Sequence, residues 1–136
     1  MGDELVPKSK TRVPILGQVA AGLPILAEQN IEGYIEFTPS EKGMTGELFA
    51  LRVKGESMIE AGINSGDMIV VNSGLGAENG DIVVARVYGD TATVKRIFYE
   101  NPKIRLQPEN SGMEPIYADY DNVEVLGRVV ALLRRY

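Results

Sequence analysis

Asp81-Ile82-Val83-Val84-Ala85-Arg86-Val87-Tyr88, then Gly89-Asp90, then Thr91-Ala92-Thr93-Val94-Lys95-Arg96-Ile97-Phe98-Tyr99, is two β-rich runs around a short break. Val, Ile, Thr, Tyr and Phe suit a pleated, half-buried surface, and a Gly-Asp pair between such runs predicts a two-residue hairpin. With Gly89-Asp90 as the loop, Tyr88 faces Thr91 and Lys95 comes opposite Val84. This hairpin makes the chain a sheet protein. It also sets a lysine beside Ile82, Val83, Val84 and Ala85, poor surroundings for an ammonium ion.

Outward from the hairpin, short strand patterns continue. Leu48 to Val53 reads as a strand that the turn Lys54-Gly55-Glu56 ends, and Asp67 to Asn72 as a short buried strand. Lys103 to Gln107 is one more strand and Ile116-Tyr117 a short extended piece. Val123 to Leu133 closes the chain as an apolar strand that must complete the sheet or pair with another copy of itself. Glu36 to Gly46 and Gly74 to Gly80 read as loops, and the second is no phosphate cradle because no Gly-Lys-Ser/Thr follows it. Pro14 to Tyr34 is apolar and small, with Pro14, Gly17, Gly22 and Pro24 breaking any helix, so it is extended or looping. Residues 1 to about 13 carry charges and Pro7 without apolar periodicity and read as a flexible lead. Six or seven short strands with little helix predict a mostly β, partly coiled fold, with residues 14–136 as a single domain after the lead.

The composition of the 136 residues narrows the chemistry. With 44% hydrophobic residues the chain can bury the core of one domain. No run approaches the roughly 18 apolar residues of a membrane span, and Met1-Gly2-Asp3-Glu4 lacks the basic start of a signal peptide, so the expected setting is the cytoplasm. There is no cysteine for a disulfide or thiolate site, and no histidine, the commonest general base and metal ligand. No metal or cofactor is expected. A net charge of -5 repels phosphate backbones, so this piece is not expected to hold DNA by itself.

A serine hydrolase without histidine must find its base elsewhere. Ser57 follows the turn Lys54-Gly55-Glu56 and precedes a short helix-compatible piece, Met58-Ile59-Glu60-Ala61. Read alone, Ser57 also suits a helix N-cap, and Lys95 also suits a sheet-edge lysine whose amine reaches water. A neutral lysine is the most credible partner for a serine hydroxyl here, because apolar burial disfavours the charged amine. The Ser-x-x-Lys pattern is absent, since Glu60 stands three after Ser57, so serine and lysine would have to meet by folding. Backbone N–H groups of Glu56 and Ser57 in the turn would offer an oxyanion site.

Val53-Lys54-Gly55-Glu56-Ser57-Met58, Thr93-Val94-Lys95-Arg96 and Val19-Ala20-Ala21-Gly22, in this order and spacing, resemble the LexA family of self-cleaving bacterial repressors. The likeness runs from about Pro14 to the end and includes Pro24-Ile25-Leu26-Ala27, Gly66-Asp67 and Pro108-Glu109-Asn110-Ser111; UmuD-type polymerase accessory proteins are similar too. The resemblance implies a β-sheet domain of the LexA/signal-peptidase type. It makes Ser57 the nucleophile, Lys95 the general base and Ala21-Gly22 the scissile bond, on a cleavage loop of about residues 14–34. It further implies dimerisation through the closing strand, about 123–133. A RecA filament on single-stranded DNA would favour the docked loop in the SOS response to DNA damage. DNA contact would fall to a helix-turn-helix domain ahead of this region. Only about 13 linker-like residues precede it here, which reads as an excised repressor domain or a naturally short UmuD-like protein. A type I signal peptidase would share the Ser-Lys chemistry but needs a membrane anchor, and a dimerisation module with an inactive dyad is the non-enzymatic alternative.

Overall fold

The computed structural model describes residues 11–17, 24–38, 46–74 and 76–135. Nine strands form one sheet: β1 (Thr11–Leu16), β2 (Ile31–Phe37), β3 (Leu48–Arg52), β4 (Met68–Asn72), β5 (Ile82–Val87), β6 (Thr93–Glu100), β7 (Lys103–Gln107), β8 (Ile116–Asp119) and β9 (Val123–Leu133). Their order is β2-β1-β3-β4-β9-β5-β6-β7-β8. Neighbours run antiparallel except β1 and β3, which are parallel. Among the described residues the only helices are single 3-10 turns at Glu28–Asn30, Ile59–Ala61 and Tyr120–Asn122. The fold is mostly β, as expected, with the short helix just after Ser57.

Alternation along the central strands builds a core on both faces. In β4 every residue is buried: Ile69 and Val71 join Leu16, Phe49, Val53, Met58 and Leu126, while Met68 joins Val13 and Ala50. In β5 the adjacent Val84 belongs to the first of these clusters, whereas Val83 and Ala85 pack with Ile97, Ile104 and Leu106. Successive side chains point to opposite faces, so an unbroken apolar run marks a strand covered on both.

The structure corrects five expectations. Thr11 to Val13 belong to β1, not to a flexible lead, and Val13 is fully buried. Charges and Pro7 masked the start of this strand, and its Pro14 is a residue that a paired interior strand disfavours. It is tolerated here because β1 meets β3 only at Ile15 and Leu16. Glu36 and Phe37 likewise belong to β2, paired with Arg12 and Thr11, which raises the strand count from six or seven to nine. The hairpin turn is Tyr88-Gly89, both at positive φ (55° and 71°), closed by Asp90 N–H to Val87 C=O at 3.0 Å. That is the primed geometry that matches strand twist. Thr91-Ala92 then add one residue before β6, so Ala85 pairs with Thr93 and Lys95 faces Val83 instead of Val84. A slip of one residue changes the face.

The closing strand β9 completes the sheet from its middle. Residues 123–128 pair with β5 and 128–133 with β4, and the register shifts on each side of Arg128. Each shift leaves an extra residue in β9, and such bulges bend a strand. Gly127 sits at the bend, where a Cβ would lie 2.8 Å from the Asn72 carbonyl oxygen.

Candidate active site

Ser57 sits on an excursion between β3 and β4 whose base is tied shut. Val53 N–H donates to the Asp67 carbonyl and Gly66 N–H to that of Val53, each at 2.8 Å. Inside it, Gly55 adopts φ +88°, a left-handed conformation that side chains rarely take, and its N–H donates to Ser65 Oγ at 3.3 Å. Met58 is 2% exposed and anchors the excursion in the main core. The N-cap of the following 3-10 turn is Met58, with no side-chain cap bond, so Ser57 is not spent on capping.

The Ser57 side chain points instead to β6. Its hydroxyl lies 3.5 Å from the Val94 carbonyl, to which it can donate, and Lys95 Nζ lies 3.2 Å from Ser57 Oγ. Residues 38 apart in the chain thus meet within hydrogen-bond reach. Lys95 is only 6% exposed, beside Val83 and Ile97. Burial pushes its amine below the ordinary lysine value, because the charged form loses its hydration. No carboxylate is bonded to Nζ among the described residues; its second partner is the Thr93 hydroxyl at 2.5 Å. A hydroxyl in contact with a desolvated amine is the geometry that proton transfer from oxygen to nitrogen requires.

Thr93 was not read from the sequence as part of this site. The signal was available, because residues two apart on a strand share a face and Thr93-Val94-Lys95 puts the hydroxyl beside the amine. The loop after β7 also escaped. Asn110 Nδ2 donates to the Glu56 carbonyl at 2.8 Å, Glu60 N–H donates to the Glu109 carbonyl at 2.9 Å, and Ser111 bonds the Glu60 carboxylate through N–H and Oγ. Such contacts join segments about 50 residues apart, which no local pattern signals.

Of the predicted backbone donors, neither Glu56 N–H nor Ser57 N–H has an acceptor among the described residues; the Glu56 carbonyl accepts from Asn110. Ala21 and Gly22 lie outside the described residues. Gly17, four residues before Ala21, lines an open groove of about 540 Å³ together with Lys54, Thr93 and Val94. No cluster of metal-ligating side chains occurs among the described residues, and no helix there is long and apolar enough to cross a membrane.

A serine hydroxyl within reach of a buried amine, on a mostly β sheet, is compatible with a serine peptidase. The Peptidase S24-like family profile matches residues 14–130, and the chain belongs to that family. It is 48% identical over 133 residues to the LexA repressor of Oceanobacillus iheyensis, covering 97% of this chain and 63% of that protein. To the LexA repressor of Pelotomaculum thermopropionicum it is 54% identical over 123 residues, 90% of this chain and 59% of that one. To that of Clostridium novyi it is 45% identical over 138 residues, 98% and 65% respectively. The chain spans less than two thirds of the length of these relatives.

Proposed function

We propose that this chain is the self-cleaving domain of a LexA-type repressor, cutting its own Ala21-Gly22 bond with a Ser57-Lys95 dyad. The observation that carries the reading is the 3.2 Å approach of Lys95 Nζ to Ser57 Oγ in a desolvated setting. Neutral Lys95 takes the Ser57 proton, Oγ attacks the Ala21 carbonyl carbon, and the oxyanion is met by backbone N–H groups of the Glu56-Ser57 turn. The protonated amine then gives its proton to the departing Gly22 nitrogen. Water, deprotonated by the same lysine, releases the Ala21 carboxylate. Gly17, four residues before Ala21, lines a groove together with Thr93 and Val94, and four residues of extended chain reach roughly 13 Å.

The remaining roles rest on the family likeness. A RecA filament on single-stranded DNA favours the docked loop, and operator binding belongs to the part of the repressor that this chain does not span. The negative net charge agrees with that division. Dimerisation uses the closing strand, about residues 123–133, whose last five side chains, Val129 to Leu133, are apolar and whose backbone there pairs with β4 alone. The cytoplasm is the setting.

Intact-mass spectrometry after incubation at about pH 7 and about pH 10 tests the reading, the second value lying near the free lysine pKa. Fragments ending at Ala21 and beginning at Gly22 are expected, faster at high pH, at a rate independent of protein concentration. Lys95→Ala abolishes them, and Gly22→Asp blocks them by adding bulk and charge at the bond. An unchanged mass at both pH values counts against the dyad, and cleavage of the Gly22→Asp chain at full rate counts against the bond.

A further inference from the structure

The loop between β7 and β8 touches the sequence neighbours of both Ser57 and Lys95. Towards the base, Glu109 pairs with the guanidinium of Arg96, the residue after Lys95, and Arg96 also donates to the Gly80 carbonyl at 2.6 Å. Towards the nucleophile, Glu109 N–H lies 3.4 Å from the buried Met58 sulfur and the Glu109 carbonyl accepts from Glu60 N–H. Asn110 makes the contact nearest to Ser57, through Nδ2 to the carbonyl of Glu56. Its orientation is set beforehand, because Asn110 Oδ1 accepts from Gly112 N–H at 2.9 Å, which leaves the amide nitrogen facing Glu56.

The Glu56 carbonyl belongs to the same planar unit as the Ser57 N–H, and in a trans peptide the two point in opposite directions. Fixing one aims the other. The other bond to this carbonyl, from Ile59 N–H, is long at 3.4 Å, so the 2.8 Å bond from Asn110 is the tighter hold. With its carbonyl turned to the loop, the peptide turns the Ser57 N–H away from it. The groove lined by Gly17, Lys54, Thr93 and Val94 has no residue of that loop in its lining.

We propose that Asn110 is a positioning residue of the cleavage reaction, holding the Glu56-Ser57 peptide so that the Ser57 N–H serves as an oxyanion donor. This rests on the Ser57-Lys95 reading above. Asn110 touches no reacting atom; it acts through the peptide that carries the nucleophile.

The test compares the unsubstituted chain, Ser57→Ala, Asn110→Ser and Asn110→Asp by self-cleavage rate across pH, with thermal midpoints alongside. Serine keeps a turn acceptor for Gly112 but is too short to reach Glu56; aspartate keeps the size and loses the donor. The Asn110→Ser chain is expected to fold and to lose about 10- to 100-fold of the high-pH plateau rate, less than the 10²–10³ lost with a whole oxyanion donor. The pH midpoint, which reports Lys95, stays unchanged. Asn110→Asp confirms the loss of the plateau should the serine variant fail to fold. A folded variant cleaving at the unsubstituted plateau overturns the inference, as does a loss accompanied by a moved pH midpoint, or failure of both variants to fold. Absence of Ser57-dependent cleavage in the unsubstituted chain instead overturns the dyad itself.

Discussion

Lys95 is held where its charge is unwelcome. Its folded pKa lies below the ordinary value of about 10.4, so between the two values the unfolded chain binds more protons than the folded one. Stability therefore rises with pH across that window, by at most about 1.4 kcal/mol per pH unit, and the cost is fully present below the folded value. Lys95→Met, apolar and of similar length, is expected to raise the urea midpoint at neutral pH while abolishing cleavage. The gain should fade as pH approaches 10.4. An equal or lower midpoint at pH 7 would contradict a desolvated amine. The residue types were legible in the sequence, since a lysine inside an apolar run, with no histidine elsewhere, is a candidate base. Its partner Thr93 was equally within reach, but the one-residue error in register obscured which face the amine occupies.

At the scale of elements, two local backbone features decide register. Tyr88 occupies the first position of the hairpin turn at φ 55°, where non-glycine residues are strained, and the residue is 70% exposed. Tyr88→Asn, better suited to that conformation, is expected to stabilise the fold by about 0.5–1 kcal/mol, read from the urea midpoint at unchanged slope. Gly127 has the opposite character. A methyl there would lie 2.7 Å from Val71 Cγ1 and 2.8 Å from the Asn72 carbonyl oxygen, at the bend where β9 passes from β5 to β4. Gly127→Ala is expected to cost about 1–3 kcal/mol by denaturant titration, because the obstacle includes backbone. Strands β3, β4, β7 and β9 were readable from apolar runs between turn signals. β1 was not, because Pro14 interrupts its pattern and its burial comes from Ala50 and Met68, distant in sequence.

Over the whole molecule, the end of the chain is tied back to the nucleophile's excursion. Arg134 grips the Asp67 carboxylate through two nitrogens, at 2.8 and 2.6 Å, and donates to the Gly62 carbonyl at 2.7 Å. The Arg134 guanidinium, helped by the Asn64 N–H, holds the Asp67 carboxyl down at about 2. A depressed carboxylate contributes stability that is complete above its unfolded value of about 3.9 and is lost as pH falls through the folded one. Arg134→Met is therefore expected to raise the pH of acid unfolding towards 3.9, followed by circular dichroism. An acid midpoint unmoved by the substitution would show that the clasp contributes nothing.

Composition and local pattern alone determined a mostly β domain, a serine on a tight turn, a lysine in an apolar strand and the absence of any histidine base. These follow from what each residue prefers among its near neighbours, which is all that short-range physics can express. Only the tertiary structure decided the pairing of Lys95 with Val83, the path of β9 between β4 and β5, and the grip of Asn110 and Arg134 on the serine's excursion. Those contacts join residues tens of positions apart, and their geometry depends on how the whole sheet twists and closes over its core.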